Sequence, residues 1–440
     1  MTIDRRGADV QKVVVLGANG AMGAGCGQVF AQAGLTTVFL ARDRARAEAG
    51  RARAAKRARD PSLADRIVAG SYADDLAREL ADADLVFEAV AEDPDVKRAL
   101  YAELDRVRPP GVVVATVSSG LSIARLCADR SADFARSFLG MHFFNPPHVI
   151  TGCELVPHAG TDPDVVRRMA AFLRERLGRA LVTTADTPAF CGNRIGFKVL
   201  NECAQLAEEH HPAFLDEVLG PHTGRAMGPL ATIDFVGWDV HRAIVDNLRA
   251  HTRDEAHASF ALPAYMEELI EAGHLGDKTA DRGGFFRKDG DGKAGPRLAL
   301  DPRRRAYAPV THPRHPTAQR MHELHTEGRH ADAFDLLADA DDECAVMRRI
   351  VLGYVSYALG RVGEVVERTA DVDTIMAHGF RWAPPGLICD LLGAARTIRL
   401  LEAHALPVPR VLALALDQRA PLYLGRDTAR FFPSARPKAA

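Results

Sequence analysis

A histidine and a glutamate twelve residues apart are the side chains of this sequence best suited to chemistry. His142 lies in the apolar run FLGMHFF and Glu154 in GCELV. An unpaired carboxylate in apolar surroundings is costly, and an imidazole that titrates near neutrality is the nearest candidate partner. Such a pair can act as a general base that takes a proton from an alcohol. The alternative is a core histidine and an unrelated surface glutamate.

A glycine-rich turn near the N-terminus weakens that alternative. The apolar run KVVVL leads into GANGAMG, which contains Gly17, Gly20, Met22 and Gly23 and is followed by a helical pattern. Glycines let the backbone approach a pyrophosphate, and a helix N-terminus supplies free N–H groups and a positive dipole end. This context predicts a dinucleotide site. A plain strand–helix turn that uses glycine only for its backbone conformation is the competing interpretation.

Two features of this region bear on the choice of cofactor. The spacing is GxxGxxG, one residue longer than the usual GxGxxG. The second predicted strand, TTVFLA, ends without the acid that normally binds the ribose 2′-hydroxyl, because Ala41 stands in that place and Arg42 follows it. The cofactor is therefore predicted to be NAD or NADP: Arg42 favours NADP, whereas Asp43 can restore a preference for NAD.

Composition and patterning indicate an α/β protein without a strongly charged or membrane-spanning character. The 440 residues carry a net charge of -2 and seven cysteines, none of them in a CxxC pair. We therefore expect a cytoplasmic protein in a reducing compartment, with no nucleic-acid or membrane partner. Apolar runs alternate with helical segments up to Asp186, which predicts a Rossmann-type doubly wound sheet.

Beyond Asp186 the pattern is helical almost throughout and contains an internal echo. One block repeats the residue types and spacing of another, each after a long helical run. The two blocks are Pro229, Asp234 and Gly237, then Pro385, Asp390 and Gly393. The C-terminal region is thus predicted to be all-α and to consist of two related helical domains. The predicted divisions are a Rossmann domain over 1–186, a first helical domain over 187–290, a Gly-, Pro- and Arg-rich linker over 291–316, and a degenerate repeat over 317–440.

Together these motifs resemble the 3-hydroxyacyl-CoA dehydrogenase family, which oxidises L-3-hydroxyacyl-CoA to 3-ketoacyl-CoA with NAD. The resemblance runs from about Lys12 to Phe286, and more weakly to about residue 400. It rests on HFFNP at 142–146, on DTPAFCGNR at 186–194, where the family has DTPGFxxNR, and on GRAMGPLATIDFVGWD at 224–239. It implies an acyl-CoA substrate, and it weighs slightly for NAD over NADP.

The resemblance also implies catalytic roles for four residues. His142 takes the hydroxyl proton, and Glu154 stabilises the resulting imidazolium. Ser119 and Asn193 donate hydrogen bonds to the substrate oxygen, where charge develops in the reverse direction. We expect no metal in this chemistry.

On the cofactor side, the resemblance places Glu92 and Lys97 near the nicotinamide. Val117 replaces the asparagine of the family's SNTS loop, which removes an amide from beside the cofactor. Residues 42–66 carry nine Lys or Arg against four Asp or Glu, and we expect either contacts to CoA phosphates or a solvated helix face. The histidines around His322 and His325 lack a carboxylate or thiol at ligand spacing, so a metal site is not predicted there.

Two other functions stay open on the sequence. One is a dehydrogenase of a small 3-hydroxy acid without CoA, as in lambda-crystallin-like sugar-acid dehydrogenases. The other is a non-catalytic dinucleotide-binding protein, against which the presence of all four catalytic residue types speaks. The chain resembles the dehydrogenase part alone of the family's bifunctional members. We expect a monomer whose second helical block fills the dimer surface of single-copy relatives, or else a homodimer.

Overall fold

The computed structural model describes residues 10–289, 296–311, 314–425 and 428–434. The chain divides into two compact units, Met1–Phe190 and Cys191–Ala440. The division lies four residues beyond the predicted end of the Rossmann domain, and both predicted helical domains belong to the second unit. None of the described helices is long and apolar enough to span a membrane.

An eight-stranded sheet organises the first unit. Its strands are β1 (Lys12–Leu16), β2 (Thr36–Ala41), β3 (Ile67–Ser71), β4 (Leu85–Glu88), β5 (Val113–Thr116), β6 (Phe138–Phe143), β7 (Gly152–Pro157) and β8 (Ala180–Thr183). They are ordered β3-β2-β1-β4-β5-β6-β7-β8. The first six run parallel, β7 is antiparallel to β6, and β8 is parallel to β7. The order 3-2-1-4-5-6 is that of dinucleotide-binding doubly wound sheets, so the predicted Rossmann-type fold is confirmed.

Helices cover both faces of this sheet. They are α1 (Ala21–Gln32), α2 (Arg44–Ala58), α3 (Tyr72–Leu80), α4 (Pro94–Val107), α5 (Ile123–Leu126), α6 (Ala132–Arg136) and α7 (Pro163–Ala171). Because successive side chains of a strand point to opposite faces, Val13 and Val15 pack into one apolar core and Val14 and Leu16 into the other. This is why β1 reads as a continuous apolar run, as expected for a parallel strand buried on both sides.

The second unit is mainly helical. Its helices are α8 (Gly192–Leu206), α9 (Pro212–Val218), α10 (Pro229–Val236), α11 (Trp238–His251), α12 (Ala264–Glu271), α13 (Pro316–Thr326), α14 (His330–Asp335), α15 (Asp342–Gly360), α16 (Thr369–Ile375), α17 (Pro385–Leu392), α18 (Ala394–Ala403) and α19 (Arg410–Gln418). The predicted helical character of this part of the chain is confirmed.

The segment 291–316, predicted as a linker, contains two strands in its described part. Strands β9 (Phe286–Lys288), β10 (Arg297–Asp301) and β11 (Ala306–Pro309) form a small antiparallel sheet in the order β11-β10-β9. Leu298 and Leu300 of β10 are buried, and the Asp301 carboxylate accepts N–H bonds from the turn that follows. Arg303 and Arg304 lie in the turn between β10 and β11. Residues 290–295 and 312–313 lie outside the described ranges.

The internal echo corresponds to two matching helix pairs. Helices α10 and α17 each contain eight residues and begin with proline, which suits the first helical position. Each ends at a glycine of positive φ, Gly237 at 98° and Gly393 at 80°, from which the next helix starts at once. The carboxylates of Asp234 and Asp390 each accept two backbone N–H bonds from a later segment. This shared construction supports an internal repeat.

Candidate active site

The His142–Glu154 pair forms across two neighbouring strands. Their Cα atoms are register partners between β6 and β7, and His142 Nδ1 lies 2.7 Å from Glu154 Oε2. Both residues are buried, with 3% and 0% of their surface exposed. A carboxylate only accepts hydrogen bonds, so Nδ1–H donates to it, and Nε2 is then the basic nitrogen of the neutral ring. The pair can take up a proton at Nε2 and stabilise the imidazolium that results.

Aromatic rings enclose this imidazole. The ring centroids of Phe144 and Phe190 lie 4.7 and 5.7 Å from that of His142. An apolar, water-poor surrounding strengthens the attraction between imidazolium and carboxylate. The predicted general-base pair is therefore present as a geometric arrangement.

The glycine turn between β1 and α1 has no room for side chains at two of its positions. Gly17 has a φ of 76°, and a Cβ atom there would overlap the Ala89 carbonyl. A Cβ atom at Gly23 would overlap the Gly17 carbonyl. Gly20 is the N-cap of α1, and Met22 is half-buried in the first turn of that helix. These residues fit a dinucleotide pyrophosphate, which needs close backbone approach at a helix N-terminus.

Helix α2 holds this lengthened turn from the side. Arg53 Nη1 donates to the carbonyl of Asn19 at 2.7 Å, and Arg57 Nη1 donates to that of Ala21 at 3.3 Å. Gly50 of α2 faces the Ala18 carbonyl so closely that a Cβ atom would overlap it. Two arginines of the basic segment 42–66 thus support the turn.

Glu92 connects the predicted nicotinamide residues to the serine loop after β5. Its Oε1 accepts from the Ser118 hydroxyl at 2.5 Å and from the Ser119 backbone N–H at 2.8 Å. Its Oε2 lies 3.3 Å from Lys97 Nζ. Val117, the first residue of this loop, is buried in one of the two apolar cores of the first unit. The structure therefore brings Glu92, Lys97 and Ser119 together.

A fully buried polar network lies behind Lys97, and the sequence interpretation missed it. Lys97 Nζ is 2.8 and 3.0 Å from the two Glu88 carboxylate oxygens. Thr116 Oγ1 donates to the same carboxylate at 2.7 Å, and the Tyr101 hydroxyl donates to it as well. Burial and the adjacent Glu88 carboxylate raise the pKa of Tyr101 well above its usual value, which keeps the hydroxyl protonated. The available signal was the lone acid in the apolar strand LVFE.

The carboxyl ends of the parallel strands place several predicted residues along one edge of the sheet. β1, β2, β4 and β5 run parallel, so their carboxyl ends share an edge, where ligands of such sheets bind. Gly17 follows β1, Arg42 follows β2, Glu92 comes four residues after β4, and Ser119 comes three after β5. Arg42 is exposed.

Asn193 belongs to the second unit, where it is buried in the first turn of α8. Before it, Ala189 and Phe190 have φ values of 57° and 55°. Ala189 stands where the family motif has glycine, so this left-handed conformation costs about 1–2 kcal/mol more than it would with glycine. Arg194 Nη2 lies 2.8 Å from Asp254 and 2.7 Å from Glu364, in ion pairs that hold the start of α8.

Comparisons with known proteins place these motifs in context. The profile of the 3-hydroxyacyl-CoA dehydrogenase NAD-binding domain matches residues 12–187, and that of the C-terminal domain of the same family matches 190–285. A probable 3-hydroxyacyl-CoA dehydrogenase of Bacillus subtilis is 30% identical over 80% of this chain and 44% of its own length. Another, of Deinococcus radiodurans, is 34% identical over 66% of this chain and 86% of its own length.

A solved structure extends the likeness in fold. The crystal structure of 3-hydroxybutyryl-CoA dehydrogenase from Escherichia coli K12 matches with a TM-score of 0.69, over 97% of each chain and at 24% identity. The shared fold therefore extends beyond the residues that the two profiles match.

Proposed function

Because the chain belongs to the 3-hydroxyacyl-CoA dehydrogenase family, we propose that it interconverts an L-3-hydroxyacyl-CoA and the 3-ketoacyl-CoA, with a nicotinamide dinucleotide as second substrate. The observation that carries this proposal is the buried His142–Glu154 contact of 2.7 Å. It lies in the same sheet as a glycine turn that fits a pyrophosphate. An acid–base pair beside a dinucleotide site matches the needs of alcohol oxidation, in which a proton and a hydride leave the substrate.

We assign a separate part of this reaction to each of the residues named in the resemblance. In oxidation the substrate hydroxyl gives its proton to His142 Nε2, and Glu154 stabilises the imidazolium. A nicotinamide dinucleotide bound at the glycine turn would supply the hydride acceptor for oxidation at C3 and the hydride donor for reduction. Ser119, whose backbone N–H is fixed by Glu92, donates its hydroxyl hydrogen to the substrate oxygen. For Asn193 of the second unit, the family motif at 186–194 supports a role as hydrogen-bond donor to the substrate.

The buried Glu88–Lys97 pair is proposed to hold the cofactor side of the site in place. Lys97 is fixed by Glu88 and in turn contacts Glu92, which fixes the serine loop. A chain of contacts of this kind limits the movement of Ser119 relative to the sheet. Placement of donors within a few tenths of an ångström is what makes such stabilisation effective.

Turnover of acetoacetyl-CoA tests the proposal. Reduction should be followed with NADH and with NADPH for the unaltered chain, for His142→Ala, and for His251→Ala, which removes an exposed histidine of α11. We expect His142→Ala to lower kcat by about 10²–10⁴, the usual contribution of a positioned general base, and His251→Ala to have no effect.

The same assay separates the alternatives. Equal turnover of free acetoacetate would favour a small 3-hydroxy acid as substrate. A complete lack of turnover over all acyl lengths, with dinucleotide binding intact, would favour a non-catalytic binding protein. Near-normal kcat in His142→Ala would contradict the proposed base.

A further inference from the structure

The end of β2 presents a cation where dinucleotide-binding sheets usually present an acid. The strand ends at Ala41, and its end lies against the glycine turn, since Ala18 N–H donates to the Leu40 carbonyl at 3.4 Å. The usual acid at this place binds the ribose hydroxyls of NAD, whereas a nearby arginine accommodates the 2′-phosphate of NADP. In this chain Ala41 offers only a methyl group, and Arg42 is exposed directly after it.

Asp43 is the acid that could bind the ribose hydroxyls in place of Ala41. Its carboxylate already accepts hydrogen bonds from other groups. Asp43 is the N-cap of α2 and accepts the Arg46 backbone N–H at 2.8 Å. Its other carboxylate oxygen accepts from Arg46 Nε at 2.9 Å. Turning Asp43 towards a ribose would break both contacts and expose the helix N-terminus. Its charge is also offset by the guanidinium that it contacts.

Asp74 and Asp75, which follow the neighbouring strand β3, also accept hydrogen bonds from nearby groups. Asp75 accepts the Ser71 backbone N–H at 2.9 Å and pairs with Arg44 and Arg78. Asp74 accepts from the Ser71 hydroxyl at 2.6 Å. The charge of Asp75 is therefore offset by two arginines, and one carboxylate oxygen of Asp74 is occupied by the Ser71 hydroxyl.

Arg42 itself lies close to the glycine turn. The Gly17 N–H donates to the Tyr72 hydroxyl at 2.8 Å. Burial raises the pKa of Tyr72, and the charge of Arg42, which directly follows β2, acts against that rise. Within the described ranges Arg42 forms no hydrogen bond or ion pair, unlike Arg44, which donates to the Ala69 carbonyl. An uncommitted guanidinium thus stands at the strand end beside the turn.

We infer that Arg42 forms a subsite for the 2′-phosphate of NADP(H), and that the chain binds and uses NADP(H) at least as well as NAD(H). A guanidinium binds phosphate oxygens with two parallel charge-assisted hydrogen bonds, and the charges of Asp43 and Asp75 are offset by other arginines. The use of either cofactor in turnover rests on the proposed function, whereas the affinity difference does not.

Equilibrium binding tests the subsite without relying on catalysis. Dissociation constants of NADPH and NADH should be measured by nicotinamide fluorescence for the unaltered chain, Arg42→Ala and Arg51→Ala. Arg51 is a matched control on α2 whose guanidinium pairs with Glu48 at 2.7 Å. We expect Arg42→Ala to weaken NADPH binding by roughly 10- to 150-fold, the worth of a hydrogen bond to a charged group. NADH binding should change by less than about threefold, and Arg51→Ala should alter neither.

Opposite results would overturn the inference. It fails if NADH binds more tightly than NADPH to the unaltered chain, or if Arg42→Ala weakens the binding of both nucleotides equally. Turnover with acetoacetyl-CoA is scored separately. If neither nucleotide supports turnover but NADPH binding depends on Arg42, the inference stands and the proposed function fails.

Discussion

Replacing Glu154 by glutamine removes one charge from the buried pair and keeps the shape of the side chain. The glutamine carbonyl can still accept the Nδ1–H bond that Glu154 Oε2 accepts at 2.7 Å, so the tautomer of His142 is kept. What the substitution removes is the attraction between a carboxylate and the imidazolium that forms during oxidation. The change in rate therefore reports the electrostatic part of the pair's contribution.

The geometry sets the size of this effect. With charge centres about 4 Å apart and an effective dielectric constant of about 20, the attraction is about 4 kcal/mol. Each 1.4 kcal/mol changes the rate tenfold, so complete loss of this attraction corresponds to a rate that is lower by roughly 10³-fold. The transition state carries only part of the imidazolium charge. We therefore expect Glu154→Gln to lower kcat for oxidation by about 10²–10³.

Steady-state kinetics in both directions, with nucleotide binding measured on the same samples, provide the assay. Glu154→Asp is the matched control, because it keeps the charge and shortens the side chain by one methylene. It should lose less kcat than Glu154→Gln, and nucleotide affinity should be unchanged in both. If Glu154→Gln keeps kcat within about threefold, or if Glu154→Asp loses as much as it does, the electrostatic reasoning is refuted.

Three further predictions concern stability and assembly. Lys97→Met leaves the Glu88 carboxylate buried without its cation. It should lower the free energy of unfolding, measured by urea denaturation, by about 3–5 kcal/mol. A loss below about 1 kcal/mol would contradict a buried ion pair at this place. Deletion of residues 317–440 should expose apolar surface and cause aggregation or new dimerisation, whereas a monomeric, active truncation in light scattering would count against it. Burial and the charge of His330 lower the pKa of His325 to about 3. The unfolded chain then binds a proton below about pH 6.5 that the folded chain does not, so stability is lost as the pH falls from 6.5 towards 3. The unaltered chain should lose up to about 1.4 kcal/mol per pH unit more than His325→Gln in this window, and equal slopes would show that His325 does not contribute.

Elements with strong periodicity could be predicted from the sequence almost to the residue. The run TTVFLA predicts a strand over 36–41, and the pattern PDVKRALYAELDRV predicts a helix over 94–107; β2 and α4 have these bounds. The apolar run LVFEAVA predicts a strand over 85–91, but β4 ends at Glu88. The chain leaves the sheet there because the Ala89 backbone must meet Gly17, a tertiary contact that no local pattern reveals.

The candidate site was predictable where its members are close in sequence. His142 and Glu154 lie on adjacent antiparallel strands, and the connecting segment is short enough to make them register partners. The contacts of Glu88 join a strand, helix α4 and β5 over separations of 9 to 28 residues. Residue spacing does not encode such contacts, so the network behind Lys97 became visible only in three dimensions.

The internal repeat separates structural acids from functional ones. Burial raises the pKa of Asp216 to about 6, of Asp234 to about 7 and of Asp373 to about 8, and such shifts often mark active sites. Asp216 accepts N–H bonds at the start of α10, however, and Asp373 does the same at the start of α17. Both helical blocks therefore contain an acid that accepts N–H bonds at the start of a helix. The second block has no counterpart of the Asn193–Arg194 motif, so a contact found in both blocks stabilises the helices and is not specific to the candidate site. The raised pKa values of Asp216, Asp234 and Asp373 therefore reflect their structural roles and do not mark a second candidate base beside His142.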